Sequence, residues 1–129
     1  MSVSEKKIAV VLAGCGVFDG SEIHEATCTL LNIAAQGASY QCFAPNIRQP
    51  AVVNHYTKAA EPDESRNVLT EAARIARGNI KSLAEFNPDQ FDGNLPRRTG
   101  RGQKPLRLCG QRRCLRRQSR RGTGTCHRL

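Results

Sequence analysis

The sequence predicts an α/β fold, made of an incomplete parallel β-sheet with flanking helices and followed by a disordered basic tail. Residues Lys7–Ala13 form a continuous run of strand-forming apolar side chains, which is typical of a strand buried on both faces. A loop with three glycines, a helical pattern and a second strand-like run over Ala38–Ala44 follow in that order. This β-α-β order predicts two parallel strands joined by a right-handed crossover.

The first predicted helix starts after the glycine-containing loop and ends at Gly37. Asp19 or Ser21 is expected to cap it, and Glu22 follows Asp19 at the spacing of a capping box. One face of this helix is apolar and is predicted to pack on the sheet; it contains Ile23, Ala26, Thr27, Leu30, Leu31 and Ala34.

A second helix is predicted from about Glu64 to Ala76, with Gly78 as its stop. Its apolar side contains Val68, Leu69, Ala72, Ala73, Ile75 and Ala76. A short strand over Ile80–Leu83 should follow this helix. Residues Phe91–Gly93 lead towards a further strand, which the sequence as given is not expected to supply.

The positive charge of the chain lies in its last segment. From Asn94 to Leu129 there are eleven Arg, one Lys and no Asp or Glu, a net charge of +12. Residues 1–93 contain eight basic and all eleven acidic side chains, a net charge of −3, so the whole-chain excess of +9 comes from the tail. The sequence therefore divides into a domain part at residues 1–93 and a basic tail at residues 94–129.

Three interpretations of the tail compete. A metal site is disfavoured because the spacing of its candidate ligands is irregular and lacks a Cys-x-x-Cys pair; these are Cys109, Cys114, Cys126 and His127. A solvated arm for nucleic acid or an anionic membrane is favoured by the charge, but the tail has no Phe, Tyr or Trp to stack on bases. The third interpretation is translation in a wrong reading frame.

The wrong-frame hypothesis rests on codon degeneracy. Permitted codons for residues 94–102, read one base later, give Ile-Phe-Pro-Gly-Gly-Leu-Gly-Ala-Ala, and the shifted text regains acidic residues further on. The shifted text has an apolar strand, a Gly-rich turn and an Ala-rich helical stretch. We therefore expect a frameshift near Asn94.

Cysteine usage and hydropathy bear on the location of the protein. Cys15, Cys28 and Cys42 lie in apolar or turn contexts typical of reduced thiols, which predicts a cytoplasmic protein. Residues Leu12–Cys15 match a lipoprotein cleavage box, but the apolar stretch before them is shorter than the roughly 7–15 residues of a signal peptide. No apolar run approaches the roughly 18 residues of a membrane span, so no membrane association is predicted.

Candidate site residues cluster at the predicted carboxyl end of the first strand, where ligands bind in open α/β sheets. Cys15, Gly16 and Asp19 are candidate residues of a site loop, although Cys15 also fits a small buried side chain. The glycine spacing has one residue too many for a dinucleotide-binding fingerprint, so no cofactor is predicted. Glu22 and Glu25 share a face of the first helical turn, either as complements of the helix dipole or as acid–base groups.

Four segments of the chain carry a resemblance to a known family: Val11–Glu25, Cys42–Pro45, Val53–His55 and Arg66–Gly78. The Gly-Ser-Glu-Ile-His-Glu run at residues 20–25 is the most specific of their motifs. On these segments the chain resembles the enhancing-lycopene-biosynthesis protein family (ElbB), within the PfpI-type class I glutamine-amidotransferase-like superfamily. The shifted reading of the tail is similar to the Pro-Gly-Gly-x-Gly-Ala-Ala-Lys-Asn stretch of that family.

The resemblance implies a flavodoxin-like sheet and a glyoxalase (lyase) that converts the small aldehyde glyoxal to glycolate without a cofactor or a metal. It also implies a homo-oligomer and a cysteine nucleophile supported by a glutamate on the first helix. Glu25 matches that glutamate and Glu22 lies next to it, whereas the nucleophile has no counterpart in this sequence. The resemblance therefore implies a truncated, inactive family member. The alternative is a small α/β protein whose basic arm binds nucleic acid non-specifically, provided that the tail is genuine.

Overall fold

The computed structural model describes residues 5–96 and confirms the predicted α/β class. Its strands are β1 (Lys7–Val11), β2 (Ser39–Ala44), β3 (Ile80–Ser82) and β4 (Gly93–Pro96), and its helices are α1 (Ile23–Ala35) and α2 (Val68–Ala76). Two single turns of 3-10 helix, Leu83–Glu85 and Pro88–Gln90, connect β3 to β4. The predicted disordered tail lies outside the described residues, apart from positions 94–96.

The four strands form one parallel sheet in the order β3-β2-β1-β4, which confirms the predicted flavodoxin-like arrangement. β1 lies between two partners, so that Val10 is in register with Cys42 on one side and with Leu95 on the other. Ala9 and Val10 are fully buried, as a continuous apolar run predicts for a strand that is covered on both faces. The central position of β1 places the loop that follows it at the middle of the carboxyl edge.

The two faces of the sheet are covered by different kinds of structure. β1, β2 and β3 add successively in one direction, and right-handed crossovers therefore place α1 and α2 on the same face. The core on that face contains Val10, Leu12, Ala26, Leu30, Cys42, Ala44 and Ala72. The opposite face is covered by the connection from β3 to β4, in which Phe86 and Phe91 pack edge-on against Phe43 with ring centroids 5.2 and 5.5 Å away.

The beginning of α1 differs from the expected one. Glu22 caps the helix by accepting a hydrogen bond from the Glu25 backbone N–H, so the predicted caps Asp19 and Ser21 are wrong. Both of those side chains are buried: Ser21 Oγ accepts a hydrogen bond from the Ala13 N–H at the start of the loop, and Asp19 accepts one from the Val53 N–H in the segment after β2. The apolar face is narrower than predicted, because Ala26 and Leu30 are buried whereas Ile23 and Leu31 are exposed.

The beginning of α2 also moves, from the predicted Glu64 to Val68, with Asn67 as its cap. The helix begins no earlier because Asn67 is extended and forms an antiparallel bridge with Arg48, and the Arg66 carbonyl oxygen accepts a hydrogen bond from the Gln49 N–H at 2.7 Å. The predicted end is confirmed, since Arg77 and Gly78 both adopt positive φ angles of 52° and 83°. The short strand predicted over Ile80–Leu83 is present as β3, which ends at Ser82.

The strand β4 corrects the expectation that no strand follows Gly93 in the sequence as given. Its start is fixed by Asp92, whose carboxylate accepts a hydrogen bond from the Lys7 N–H at 2.9 Å. The Asp92 N–H in turn donates to the Lys7 carbonyl oxygen at 2.9 Å. Since β1 offers a free edge on this side, four extended residues suffice to add a strand, and β4 crosses the predicted domain boundary at residue 93.

Candidate active site

The loop between β1 and α1 contains the candidate residues Cys15, Gly16 and Asp19, and it lies where the strand order reverses. β2 is on one side of β1 and β4 is on the other, so the loop emerges between two strands that the chain reaches by opposite crossovers. Ligands of open α/β sheets bind at such a point, beyond the carboxyl ends of the strands. The predicted location of the site is thus consistent with the observed topology.

The loop is closed on itself by hydrogen bonds around Ser21, which is completely buried. The Ser21 N–H donates to the Ala13 carbonyl oxygen at 2.8 Å, and its Oγ accepts from the Ala13 N–H at 2.9 Å. The Gly16 N–H donates to the Ser21 carbonyl oxygen at 2.9 Å. Gly20 allows this closure because a Cβ there would lie 2.6 Å from the Cys15 backbone nitrogen.

Asp19 anchors the loop to the segment that follows β2. Its residue surface is 3% exposed, and its Oδ2 accepts a hydrogen bond from the Val53 N–H at 2.8 Å. The Asp19 carbonyl oxygen accepts from Gln49 Nε2 at 2.9 Å. Among the residues that the structure describes, Asp19 Oδ1 and Gln49 Oε1 are buried without a hydrogen-bond partner.

His55 is a site residue whose role the sequence reasoning missed. Its Nε2 lies 3.0 Å from the Val17 backbone nitrogen, which can only donate, and its Nδ1 lies 3.0 Å from the Val53 carbonyl oxygen, which can only accept. These partners assign the neutral tautomer with its hydrogen on Nδ1. The ring also packs beside Phe18, with centroids 5.1 Å apart. No periodicity or spacing identifies a single histidine in an irregular segment 38 residues after its partner Val17.

Cys15 is half-buried at the carboxyl edge, and its environment does not activate the thiol. Burial raises the pKa of Cys15, the negative charges of Glu71 and Asp19 raise it further, and Arg74 partly opposes them. A thiol with a raised pKa is protonated at neutral pH and is a poor nucleophile. Glu71, a mostly buried carboxylate of α2 that accepts a hydrogen bond from Arg74 Nε at 3.0 Å, is a second group that sequence reasoning did not single out.

The first turn of α1 holds the two predicted carboxylates, Glu22 and Glu25. Glu22 Oε2 accepts from the Glu25 N–H at 2.6 Å, and Glu22 Oε1 lies 3.0 Å from His24 Nδ1. These contacts lower the pKa of Glu22, the Glu25 N–H contributing most. Glu22 therefore has the structural role of a helix cap, whereas Glu25 is exposed in the same turn, directly after the site loop.

Metal and membrane sites can be assessed for residues 5–96 only. Within that range no group of three or more His, Cys, Asp or Glu side chains could hold a metal ion. The disfavoured metal site at Cys109, Cys114, Cys126 and His127 lies outside the described residues. Neither α1 nor α2 is long and apolar enough to cross a membrane.

The chain is similar to known proteins over most of its domain part. It is 49% identical over 89 residues to the human glutamine amidotransferase-like class 1 domain-containing protein 3, mitochondrial, a match that covers 69% of this chain and 33% of that protein. It is 46% identical over 89 residues to the rat ES1 protein homolog, mitochondrial, which covers 69% and 34% of the two chains. The chain thus spans about a third of the length of the curated relatives it matches. No protein-family model matches it.

A solved structure supports the same relationship. It is an isoprenoid biosynthesis protein with an amidotransferase-like domain from Ehrlichia chaffeensis, with a TM-score of 0.70 and 41% sequence identity. The match covers 73% of this chain and 44% of that chain.

The predicted cytoplasmic location is wrong by these comparisons, since the human and rat relatives are named as mitochondrial proteins, as is the zebrafish ES1 protein at 37% identity. The prediction rested on the cysteines, and reduced thiols distinguish oxidising from reducing environments without separating one reducing compartment from another.

Proposed function

Because the chain belongs to the class I glutamine amidotransferase-like superfamily, alongside the ES1 and ElbB proteins, we propose that it is a truncated member of a cofactor-independent glyoxalase group of the PfpI type. We further propose that this chain is inactive. The observation that carries the proposal is the loop-and-helix unit of residues 12–25, which presents Glu25 at the carboxyl edge without an activated thiol.

The chemistry proposed for the intact group needs a thiolate and a carboxylate. The thiolate adds to one carbonyl of glyoxal and forms a hemithioacetal, and the carboxylate moves a proton from that carbon towards its neighbour. Water then releases glycolate, so that one glyoxal and one water give one glycolate. Glu25 is our candidate for the proton-transferring group, and Glu22 supports it by bonding to its backbone N–H.

The described cysteines support the proposed lack of activity. Burial raises the pKa of Cys42 to about 11, and this side chain lies within β2. Cys28 is exposed on α1, away from the loop, and the pKa of Cys15 is raised. Cys15 and Cys42 thus have raised pKa values and Cys28 lies on α1, whereas an attacking cysteine requires a lowered pKa at the carboxyl edge.

Glyoxal consumption by two proteins tests the proposal: this chain, and a version with the shifted reading frame restored after Gly93. We expect turnover only in the restored version, and a loss of at least about 100-fold on Glu25→Ala, the usual range for a general acid–base group. Glu5→Ala is the matched control, because it removes an exposed carboxylate far from the loop. Turnover by this chain would refute the inert assignment, and full activity of Glu25→Ala would refute the site assignment.

The proposed frameshift is tested by the gene. The DNA downstream of the Gly93 codon should contain a long open frame in the shifted register, encoding the glycine-rich stretch. If no such frame exists, the tail is genuine and the frameshift proposal fails.

A second candidate function is favoured by one observation, the net charge of +12 on residues 94–129 against −3 on residues 1–93. A genuine tail would bind RNA or DNA without sequence preference, through phosphate contacts that release counterions. Filter binding at two salt concentrations should then show affinity that falls steeply with salt. Removal of residues 97–129, which keeps β4, should abolish it; equal binding by the shortened chain would exclude the tail as the binding element.

The remaining partner proposals concern the intact group: a small aldehyde substrate and a homo-oligomeric state. Two apolar side chains of α1, Ile23 and Leu31, are 46% and 66% exposed and support an interface on this helix. Sedimentation of the frame-restored protein as a monomer would contradict the oligomer.

A further inference from the structure

The contact between Asp19 and His55 is not used by the proposed chemistry. The Asp19 side chain is 1% exposed, and its Oδ1 has no hydrogen-bond partner among residues 5–96. A buried carboxylate oxygen loses its hydration and is costly unless a donor reaches it. His55 Nε2 lies 3.7 Å from this oxygen, beyond hydrogen-bond distance but within reach of a small rotation of the ring.

The two possible partners of His55 Nε2 exclude one another. When Nε2 carries no hydrogen, it accepts from the Val17 N–H at 3.0 Å, with the Phe18 N–H 3.4 Å away. When Nε2 carries a proton, it can no longer accept and instead offers a donor to Asp19 Oδ1. Protonation of one ring atom would therefore replace a contact with the backbone of the site loop by a contact with a buried carboxylate.

We propose that Asp19 and His55 are positioning residues that set the conformation of the site loop and, through it, the first turn of α1. Neutral His55 holds the backbone at Val17 and Phe18, and protonated His55 releases it and pairs with Asp19. The inference rests on the proposed function only in identifying Glu25, six residues after Asp19, as the group that is positioned.

The backbone of the site loop packs closely against the side chains of Asp19 and His55. A Cβ on Gly16 would lie 2.5 Å from Asp19 Oδ1 and 2.9 Å from His55 Nε2, so the loop backbone is packed directly against both side chains. A movement of the ring is therefore transmitted directly to the loop backbone at Gly16. Asp19 Oδ2 remains bonded to the Val53 N–H, which keeps the carboxylate fixed while the ring changes partner.

The charged and titratable groups around the Asp19–His55 pair come from three segments. Arg66, in the segment before α2, and the Cys15 thiol, in the same loop as Asp19, interact electrostatically with Asp19. Asp19 belongs to the loop after β1. Lys58 and Glu61 belong to the same turn as His55, where Glu61 Oε1 accepts from Asn54 Nδ2 at 3.2 Å, one residue before the histidine. Of these groups, Asp19 is the buried one, so removal of its charge should have the largest effect on the protonated state.

Nitrogen-15 and amide-proton NMR spectra of the full 129-residue chain test the proposal without any substrate. At high pH the ring nitrogens of His55 should show the neutral form with hydrogen on Nδ1. As the pH falls, the Val17 and Phe18 amide signals should shift with the same midpoint as the His55 ring. The proposal would be overturned if the Val17 and Phe18 amide signals did not change over the pH range in which the His55 ring titrates. It would also be overturned if neutral His55 carried its hydrogen on Nε2.

Two variants separate positioning from mere packing. Asp19→Asn keeps an acceptor for the Val53 N–H but removes the charge, and the common midpoint should move to lower pH. His24→Gln removes the exposed imidazole at the second residue of α1 and should leave the Val17 transition unchanged. An unchanged midpoint in Asp19→Asn would refute the pairing. Because these readouts need no turnover, they are independent of the glyoxalase proposal.

Discussion

Gly20→Ala should be among the most damaging small substitutions in the site loop. The added Cβ would lie 2.6 Å from the Cys15 nitrogen, 2.9 Å from the Gly14 carbonyl carbon and 3.1 Å from the Ala13 oxygen. All three are backbone atoms, so no side chain can rotate away. Relief to 3.4 Å requires a shift of about 0.8 Å, which would stretch the bond from the Ser21 N–H to Ala13 beyond its useful range. With overpacking at about 1–3 kcal/mol and a lost hydrogen bond at about 1 kcal/mol, we expect a loss of about 3 kcal/mol.

Urea titration with pulse proteolysis at low protein concentration measures this loss and limits aggregation of the unfolded chain. Two other glycines give a graded comparison. Gly37→Ala meets nothing within 4 Å but has a φ of +73°, and should cost about 1 kcal/mol from backbone strain alone. Gly93→Ala meets only Ile8 Cδ1 at an ordinary 3.6 Å and should change the free energy of unfolding by less than about 0.5 kcal/mol. If Gly20→Ala is no more destabilising than Gly37→Ala, the described path of the loop is wrong.

Three further predictions test separate parts of the molecule. Iodoacetamide should modify the exposed Cys28 at least about tenfold faster than Cys42, which is buried and whose pKa is raised to about 11. Equal rates would contradict the burial of the Cys42 side chain in β2. Glu22→Gln should destabilise the chain at pH 7, and the loss should shrink as the pH falls below about 4.5. A lowered folded-state pKa stabilises the fold above the unfolded value near 4.5, and that contribution is lost as the pH falls through the folded pKa. A loss in urea midpoint that does not change with pH would refute the charged cap. Phe91→Ala should lower the free energy of unfolding by about 2 kcal/mol in the same urea titration, because it removes the ring contacts with Phe43 and Phe86. An unchanged free energy of unfolding would mean that the connection from β3 to β4 does not cover this face of the sheet.

The elements that the sequence predicts well are those with a strong apolar pattern. β1, β2 and α1 begin or end within two residues of their predicted bounds because burial on the sheet determines these patterns. The start of α2 could not be predicted from its pattern, since it depends on the bridge between Arg48 and Asn67, which are distant in sequence. β4 was missed for a similar reason: its residues have no strand pattern of their own, and its place is determined by the free edge of β1.

The position of the loop that holds the candidate site residues was predicted, but its contacts were not. The β-α-β order of elements along the chain and the glycines after the first strand suffice to place the loop with Cys15, Gly16 and Asp19 at the carboxyl edge. Spacing alone suggested Asp19 as a helix cap, whereas the structure buries it against Val53 and His55. A partner 34 residues away leaves no periodic trace in the sequence, and only the fold brings it near.

The order of the strands has a consequence for how the chain assembles. The pairing of β1 with β2 closes only the short segment that contains α1. The pairing of β1 with β4, which begins with the hydrogen bond from the Lys7 N–H to the Asp92 carboxylate, closes a segment of 85 residues. Closing the longer segment costs more chain entropy, so the β1–α1–β2 unit can form first and β4 can be added only after residue 96 has been synthesised. The bonds that close the loop around Ser21 all lie within that early unit. The contacts of the loop with Gln49, Val53 and His55 also come from residues that precede β4 in the chain. The carboxyl edge around the loop can therefore form before the last strand is added, and a change of sequence beyond Pro96 leaves the bonds of this loop in place.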